Sequence, residues 1–463
     1  MENQKSPHLD EIEIDEPVEH PSDFDIPEVS EKSIRPSQSL NFGTYISLIV
    51  DDWAVQMAAV AHFGHYRKIL AIEKHHISSQ HNQKERLTLA TKTVNDFIVK
   101  HKGPFSVISL AISGRETVLR NFLMPTLSKN DLASAIEIEA KKLLPFPVED
   151  CSYDFRPISV VKTDKRELYN ISLLAATRRL IKEKLEPFGE YRKNVEHIYH
   201  APDAVGRLLP HIAGFEEFGG YTTLNIGQTQ SEIAFYRGSS LEFYNVVATG
   251  ASVLGSHPDE INYSFLAESL ANEIQMAIDF YTGRFSRTIS NRIFVYGELA
   301  YSNEVIESLK SSSGYTFERF PIDKLTFISK GKLSEFEAEI RVCLPVFAAA
   351  ACPAGMADVL PRDDKKVHRA HRLNNYARAA LITLFVTLFS SWGLLDKAVD
   401  IKRRELSGLN LQVGEFTNSE AFKSYNLLKR QIAVDKTYLE SAASVPTFLS
   451  LNLKELSLLT PKE

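Results

Sequence analysis

The chain has 463 residues, 44% apolar and 24% charged, with a net charge of −6. That composition suits a substantial globular core divided into two to four folded units. With no basic face carrying interleaved aromatics it gives no support for nucleic-acid binding, and Cys151, Cys343 and Cys352, at spacings of no zinc or redox motif, read as reduced thiols.

Residues 1–40 are acidic and proline-containing, with Asp10, Glu11, Glu13, Asp15 and Glu16 among many carboxylates. Such a segment buries too little apolar area to offset its ordering entropy, so a disordered tail is expected. It is either a solvating tail or a docking arm for a basic partner. Apolar runs at 45–50, 53–60 and 68–73 predict three strands, with Phe63-Gly64-His65 as the turn between the last two. Leu87, Ala90, Val94, Phe97 and Ile98 share one face of a helix over 84–102, which Gly103 stops. A strand at 107–112 follows. Ser128 then caps a helix that runs to Leu144, where Pro145-Phe146-Pro147 ends it. Strands near 153–161 and 168–175 and a helix over 178–188 complete the first half.

A second core begins at Tyr221, with a meander of strands at 222–226, 232–236 and 241–247. A helix over 265–281, a buried strand at 292–296 and a helix near 303–310 come next. Three meandering strands, a helix and a further strand therefore occur twice, which raises an internal duplication. The pattern predicts an α/β fold with mixed sheets.

Residues 379–395 form an uncharged apolar run, Ala379 to Leu395. As a helix it spans roughly 26 Å, close to a bilayer core. A buried core helix is the other reading. Lys365, Lys366, Arg369, Arg372 and Arg378 precede the run and no signal peptide is seen, which together place the large domain in the cytoplasm. Lys402, Arg403 and Arg404 beyond it weaken the charge argument. From 400 onward the composition favours helix, but Gly408 and Gly414 argue against one long coil, and Pro446 is expected to end the last helix. Phe422, Tyr425, Leu428, Ile432 and Leu439 form a stripe for a second chain or for a local hairpin with Leu406, Leu409 and Leu411.

Several stretches resemble a known family. Phe122-Leu123-Met124-Pro125-Thr126-Leu127-Ser128, Ala135-Ile136-Glu137-Ile138-Glu139-Ala140 and Leu144-Pro145-Phe146-Pro147-Val148-Glu149-Asp150 resemble the type IV pilus assembly protein PilM. So do Leu224-Asn225-Ile226-Gly227, Ala271-Asn272-Glu273-Ile274, Asp279-Phe280-Tyr281 and Ile293-Phe294-Val295-Tyr296-Gly297. The resemblance implies an actin-like fold of the ASKHA superfamily, two-lobed and related to FtsA, over 41–355 with a subdomain inserted at about 105–209. Asp358-Val359-Leu360-Pro361-Arg362 and Asn452-Leu453-Lys454-Glu455-Leu456-Ser457 resemble the start of PilN. That implies a docking peptide and basic linker at 356–376, a transmembrane helix at 377–395 and a helical, coiled-coil periplasmic segment at 396–463. The layout is also similar to the type II secretion protein GspL. A periplasmic ferredoxin-like domain, expected after residue 463, is either absent or removed.

The actin-like resemblance directs attention to phosphate loops. The first loop reads Ile49-Val50-Asp51-Asp52-Trp53-Ala54, with two carboxylates and an indole where small donors are needed. The second, Asn225-Ile226-Gly227-Gln228-Thr229, keeps its glycine but has Asn225 where an acid is expected. The adenosine-side turn is Gly297-Glu298, whose side chain would crowd a purine. If a nucleotide is retained, Gly227, Gln228, Thr229 and Gly297 hold it, and Asp51 with Asp52 could hold magnesium. The expectation is a degenerate site with no cofactor, metal or catalytic residue. His75, His76 and His81 have no evident carboxylate partner, and His62 and His65 flank a plain turn.

The reading is therefore a non-catalytic, single-pass protein of the bacterial inner membrane, with its N-terminus cytoplasmic. It would be an oligomeric part of a type IV pilus or type II secretion-like platform. Asp358, Val359, Leu360, Pro361 and Arg362 would bind a partner or the chain's own domain. Implied partners are other platform proteins, a hexameric motor ATPase and periplasmic alignment proteins. The alternatives are an actin-like ATP-binding protein whose nucleotide state controls partner binding, and a sugar-kinase relative.

Overall fold

A computed structural model describes residues 31–33, 41–78, 80–103, 105–162, 166–254, 263–285 and 289–458. The chain divides into two compact units, Met1–Arg369 and Ala370–Glu463. Most of the tail assigned to residues 1–40 lies outside the described residues. Within it, contrary to full disorder, β1 (Glu31–Ser33) pairs antiparallel with a later strand, because an edge strand can be completed by three residues of backbone.

The first unit is built on two five-stranded sheets. In the first, β2 (Asn41–Val50), β3 (Ala54–Gly64) and β4 (Tyr66–His76) form an antiparallel meander. Gly64 turns the hairpin with φ 64°, a conformation that a side chain resists. Helix α1 (Gln83–His101) carries the chain back across the sheet. Asn82 and Glu85 form a reciprocal capping box at its start, and Ala90, Val94, Phe97 and Ile98 are its buried face. Strand β5 (Val107–Ile112) then lies parallel to β2.

Between β5 and the last strand of this sheet the chain inserts β6 (Thr117–Pro125), α2 (Lys129–Leu143), β7 (Cys151–Lys162), β8 (Glu167–Thr177) and α3 (Arg178–Leu185). With β1 these strands form a separate sheet of order β1-β7-β8-β6. Helix α2 has Ser128 as its N-cap and Leu144 as its C-cap, the positions expected from sequence. Helix α3 stops at Leu185 rather than continuing to 188, since Pro187 and Gly189 (φ 52°) turn the chain into a 3-10 segment. Strand β9 (Val195–His200) completes the first sheet, whose order is β4-β3-β2-β5-β9.

Helix α4 (Ala201–Gly206) leads to the second sheet. Strands β10 (Gly220–Ile226), β11 (Ser231–Arg237) and β12 (Ser240–Val247) are again an antiparallel meander. Helix α5 (Tyr263–Phe285), β13 (Arg292–Gly297), α6 (Asn303–Ser312) and β14 (Thr316–Arg319) follow. The order β12-β11-β10-β13-β14, with β13 parallel to β10 and β14 parallel to β13, repeats the topology of the first sheet. The twofold pattern in the sequence is thus a repeated sheet topology.

Short helices α7 (Lys330–Glu335) and α8 (Glu337–Val342) precede α9 (Leu344–Ala351). Every residue of α9 is buried, and all but Pro345 join one apolar cluster with side chains from both sheets. His62 on β3 bonds through Nε2 to the Ala350 carbonyl at 2.8 Å and is fully buried rather than part of an open turn. Burial lowers its pKa to about 3, against a small opposing effect of that hydrogen bond.

Helix α10 (Arg362–Asn418) leaves the first unit, and α11 (Glu420–Leu458) follows after a break at Ser419. Both correct the expected interruptions, since Gly408 and Gly414 lie inside α10 and Pro446 inside α11. A single glycine costs only about 1 kcal/mol in a helix interior, which a long run of good formers absorbs. Within α10 is one stretch long and apolar enough to cross a membrane, and none of it is buried by protein. Leu406, Leu409 and Leu411 are exposed, as are Tyr425, Leu428, Ile432 and Leu439, so those leucines do not pack locally on the stripe.

Candidate functional site

The strand ends of the two sheets face each other across a cavity of about 320 Å³. The turn after β2 supplies Asp51, Asp52 and Trp53. The turn between β10 and β11 supplies Gly227, Gln228 and Thr229, and the end of β13 supplies Gly297 and Glu298. The structure therefore brings all three loops singled out in the sequence around one cleft.

Each loop is internally tied. The Asp51 amide donates to the Ala54 carbonyl at 2.9 Å, closing the first turn. Lys184 of α3 reaches the same turn, donating to the Val50 carbonyl at 2.9 Å and lying 3.6 Å from the Asp51 carboxylate. In the second loop the Gly227 amide donates to the Gln230 carbonyl at 3.1 Å, while Ala251 and Ser252 donate back to the carbonyls of Gly227 and Gln228. Gly297 has φ 102°, and a Cβ there would lie 2.4 Å from Asn225 Oδ1 and 2.7 Å from the Ile226 carbonyl. Gly297→Ala should therefore destabilise the first unit by about 1–3 kcal/mol in chemical denaturation, from strain and overpacking together.

Polar links join the lobes across the cleft. Lys74 on β4 forms a largely buried ion pair with Glu298 beyond β13. The second link is a chain: the Gly114 amide donates to Tyr244 Oη at 2.9 Å, and that hydroxyl donates to Glu232 Oε1 at 3.0 Å. Asn225 donates to the other Glu232 oxygen at 3.2 Å. Burial pushes the Glu232 carboxyl above its ordinary range, with hydrogen bonds from Ser113, Asn225 and Tyr244 opposing. Glu298→Ala should cost about 1–3 kcal/mol, because Lys74 keeps its desolvation and loses its partner. Lys74→Met/Glu298→Leu, which removes both charges, should recover most of that loss in the same denaturation assay.

The second candidate region is the segment before α10. Val359 and Leu360 are 0% and 2% exposed and join the first sheet's apolar core. Asp358 pairs with Tyr199 as an antiparallel bridge beside β9, and the Val359 amide donates to the Ile198 carbonyl at 2.9 Å. The Asp358 carboxylate accepts from the Ile198 amide at 2.9 Å and lies 3.0 Å from His197 Nδ1. Burial disfavours its charge, but His197, Lys365 and the Ile198 amide outweigh that and hold its pKa below the usual carboxylate range. Upstream, Arg156 and Arg207 both donate to the Gly355 carbonyl, and Arg156 pairs with buried Asp203. Downstream, Arg362 donates to Tyr153 Oη at 3.0 Å and lies over its ring. Pro361 accepts the Lys365 amide at 3.0 Å, opening α10.

Residues 65–193 match the family model described as type IV pilus assembly protein PilM. A solved PilM–PilN type IV pilus biogenesis complex matches with TM-score 0.53 and 14% identity, over 66% of this chain and 98% of that one. The globular unit has a PilM-like fold. A Bacteroides thetaiotaomicron protein with an actin-like ATPase fold gives TM-score 0.34 and 9% identity, over 59% of this chain and 90% of its own. The cytoplasmic domain of EpsL, an inner membrane component of the Vibrio cholerae type II secretion system, gives 0.33 and 10% over 64% and 94%. No curated protein sequence matches the chain.

Sequence reasoning on this PilM-like domain missed Glu232, Lys74, Tyr244 and Lys184. Only Glu232 left a signal, an acid next to the apolar run Ile233-Ala234-Phe235-Tyr236 of its strand. One histidine reading is corrected: His75 lies 3.1 Å from Glu73 and His81 3.4 Å from Glu85, so both have carboxylate partners. No cluster of three metal-ligating side chains occurs among the described residues.

Proposed function

We propose that the chain is a non-catalytic assembly-platform protein of the bacterial inner membrane, serving a type IV pilus or type II secretion-like system. The observation that carries this reading is the burial of Val359 and Leu360 in the PilM-like domain of their own chain. The PilN-like peptide, Asp358 to Arg362, acts as an internal clasp that couples the actin-like domain to α10. The apolar run at 377–395 crosses the inner membrane with the N-terminus cytoplasmic, and α11 meets periplasmic partners. A hexameric motor ATPase and other platform proteins bind the cytoplasmic side.

The cleft supports a non-enzymatic role. Phosphate cradles need free backbone N–H donors and small side chains. Here the amides of Gly114 and Gly227 are already engaged, and Asp51 and Asp52 set two carboxylates against any triphosphate. An actin-like ATP-binding protein controlled by nucleotide state is the alternative, favoured by the retained Gly227 and Gly297. Affinity purification of the full chain from membranes tests the platform reading. Co-purification of a hexameric motor ATPase and periplasmic alignment proteins is expected, and their consistent absence would overturn it.

A further inference from the structure

On the first sheet, Phe42 pairs directly with Phe63, and Phe63 with Tyr66, so three aromatic rings lie in a row on one face across three strands. Further along the same face, Ile46, Leu48 and Val50 are buried against α1. The row continues that face beyond the helix, and it is uncovered: Phe42 is 65% exposed, Phe63 60% and Tyr66 51%. Phe105, 59% exposed, follows α1 beside it. Its φ of 61° is the one positive value for a non-glycine among the described residues. Gly43 (φ 110°) accommodates it, since a Cβ there would lie 2.3 Å from the Phe105 carbonyl. A strained backbone that presents an exposed ring points to a use for that ring.

Charge around the row is one-sided. Residues 41–50, 58–72 and 97–115 contain no Asp or Glu, in a chain with 59 of them. Exposed Lys68 lies on the same face as Tyr66, and Lys102, over the Tyr191 ring at 5.1 Å, ends α1. Arg67 turns to the opposite face, where it donates to the Ala351 and Gly64 carbonyls. Lys100 is already paired with Glu73. Aromatic rings edged by lysine match the headgroup level of an anionic bilayer, where rings bury and cations meet lipid phosphate.

We propose that this end of the first sheet is a bilayer-contact surface, seated on the anionic headgroups of the membrane that the chain itself crosses. The inference rests on the reading that α10 spans that membrane. The surface gives the cytoplasmic domain a second attachment, so that lipid charge governs its seating.

The test uses the full chain reconstituted in vesicles of equal phosphatidylglycerol and phosphatidylcholine, or of phosphatidylcholine alone. A fluorophore is placed on His65→Cys, and in a second preparation on Gly393→Cys within the apolar run. Burial pushes the native thiols of Cys151, Cys343 and Cys352 up to about 11, 12 and 12, which favours selective labelling of the new cysteine. Headgroup-depth spin-labelled lipid should quench the residue-65 label at least about twofold more in the anionic vesicles. Phe63→Ser/Tyr66→Ser should abolish that difference, and Lys68→Glu should reduce it. An unquenched residue-65 label with a quenched residue-393 label overturns the surface alone. A residue-65 label shielded equally in both vesicles and in detergent also overturns it, by showing that protein covers the row. If lipid carrying its spin label at acyl depth fails to quench the residue-393 label, the spanning helix and this inference fall together.

Discussion

Replacing Val359 and Leu360 together with aspartate is expected to destabilise the first unit by about 3–6 kcal/mol, the hydrophobic contribution of two fully buried aliphatic side chains. Retaining the docked geometry would also bury two unpaired carboxylates, at several kcal/mol each. The segment therefore leaves its groove instead, and the loss stays near the docking energy. Its departure also removes the Asp358 contacts with His197 and Ile198 and exposes the Gly355 carbonyl now bound by Arg156 and Arg207. Melting temperature should fall by about 5–15 °C, and trypsin should cut at Arg362 much faster. Val359→Ile/Leu360→Met keeps apolar volume and should cost under about 1.5 kcal/mol. Unchanged proteolysis and melting in the double aspartate variant would remove the internal clasp.

The second large effect is a response to acid. His62 and His200 are fully buried, and burial lowers both pKa values to about 3. In the unfolded chain each binds a proton near pH 6.5. Folding therefore excludes protons that the unfolded state accepts below that pH. The stability contributed by the neutral rings is complete above pH 6.5 and is lost as pH falls toward 3. Each histidine should withdraw about 2 kcal/mol by pH 5 and about 4 kcal/mol by pH 3. Buried Asp203 and Glu232 and half-buried Asp154 have raised pKa values and act in the opposite sense as they take up protons. The prediction is therefore a difference: relative to His62→Gln/His200→Gln, the native chain should lose about 4 kcal/mol more between pH 7 and pH 5 in denaturant titrations. Parallel pH profiles would contradict it.

Local signals carried much of the fold. Both meanders follow from alternating apolar runs, and helix α2 is bracketed by a capping serine and a Pro-Phe-Pro stop that act over a few residues. The strand β6, by contrast, alternates poorly, and β9 and α4 are too short to set a period. Helix α9 carries no periodic signal because it is apolar around its whole circumference, as the centre of a core requires. Gly408, Gly414 and Pro446 misled in the other direction, since local breakers were weighed without the length of the helices that contain them.

The site was legible as loops and not as contacts. The residues lining the cleft could be found because each loop has its own glycine or carboxylate pattern. Lys74 and Glu298 are 224 positions apart, and no local pattern announces their pairing. Glu298 read only as an obstacle to a purine; the structure gives it a partner that ties the lobes together. The segment Asp358 to Arg362 stood out as a unit in the sequence, but the groove it fills depends on strands 160 residues earlier in the chain.

We propose that the cleft is held by protein contacts rather than by a nucleotide. Titration of magnesium-ATP into the purified full-length chain, followed by calorimetry and phosphate release, tests this most directly. The expected result is no saturable binding below about 1 mM, weaker than about 4 kcal/mol of binding energy, and no release above background. Saturable micromolar binding that weakens when Gly227 is replaced by valine, or sustained turnover, would contradict it.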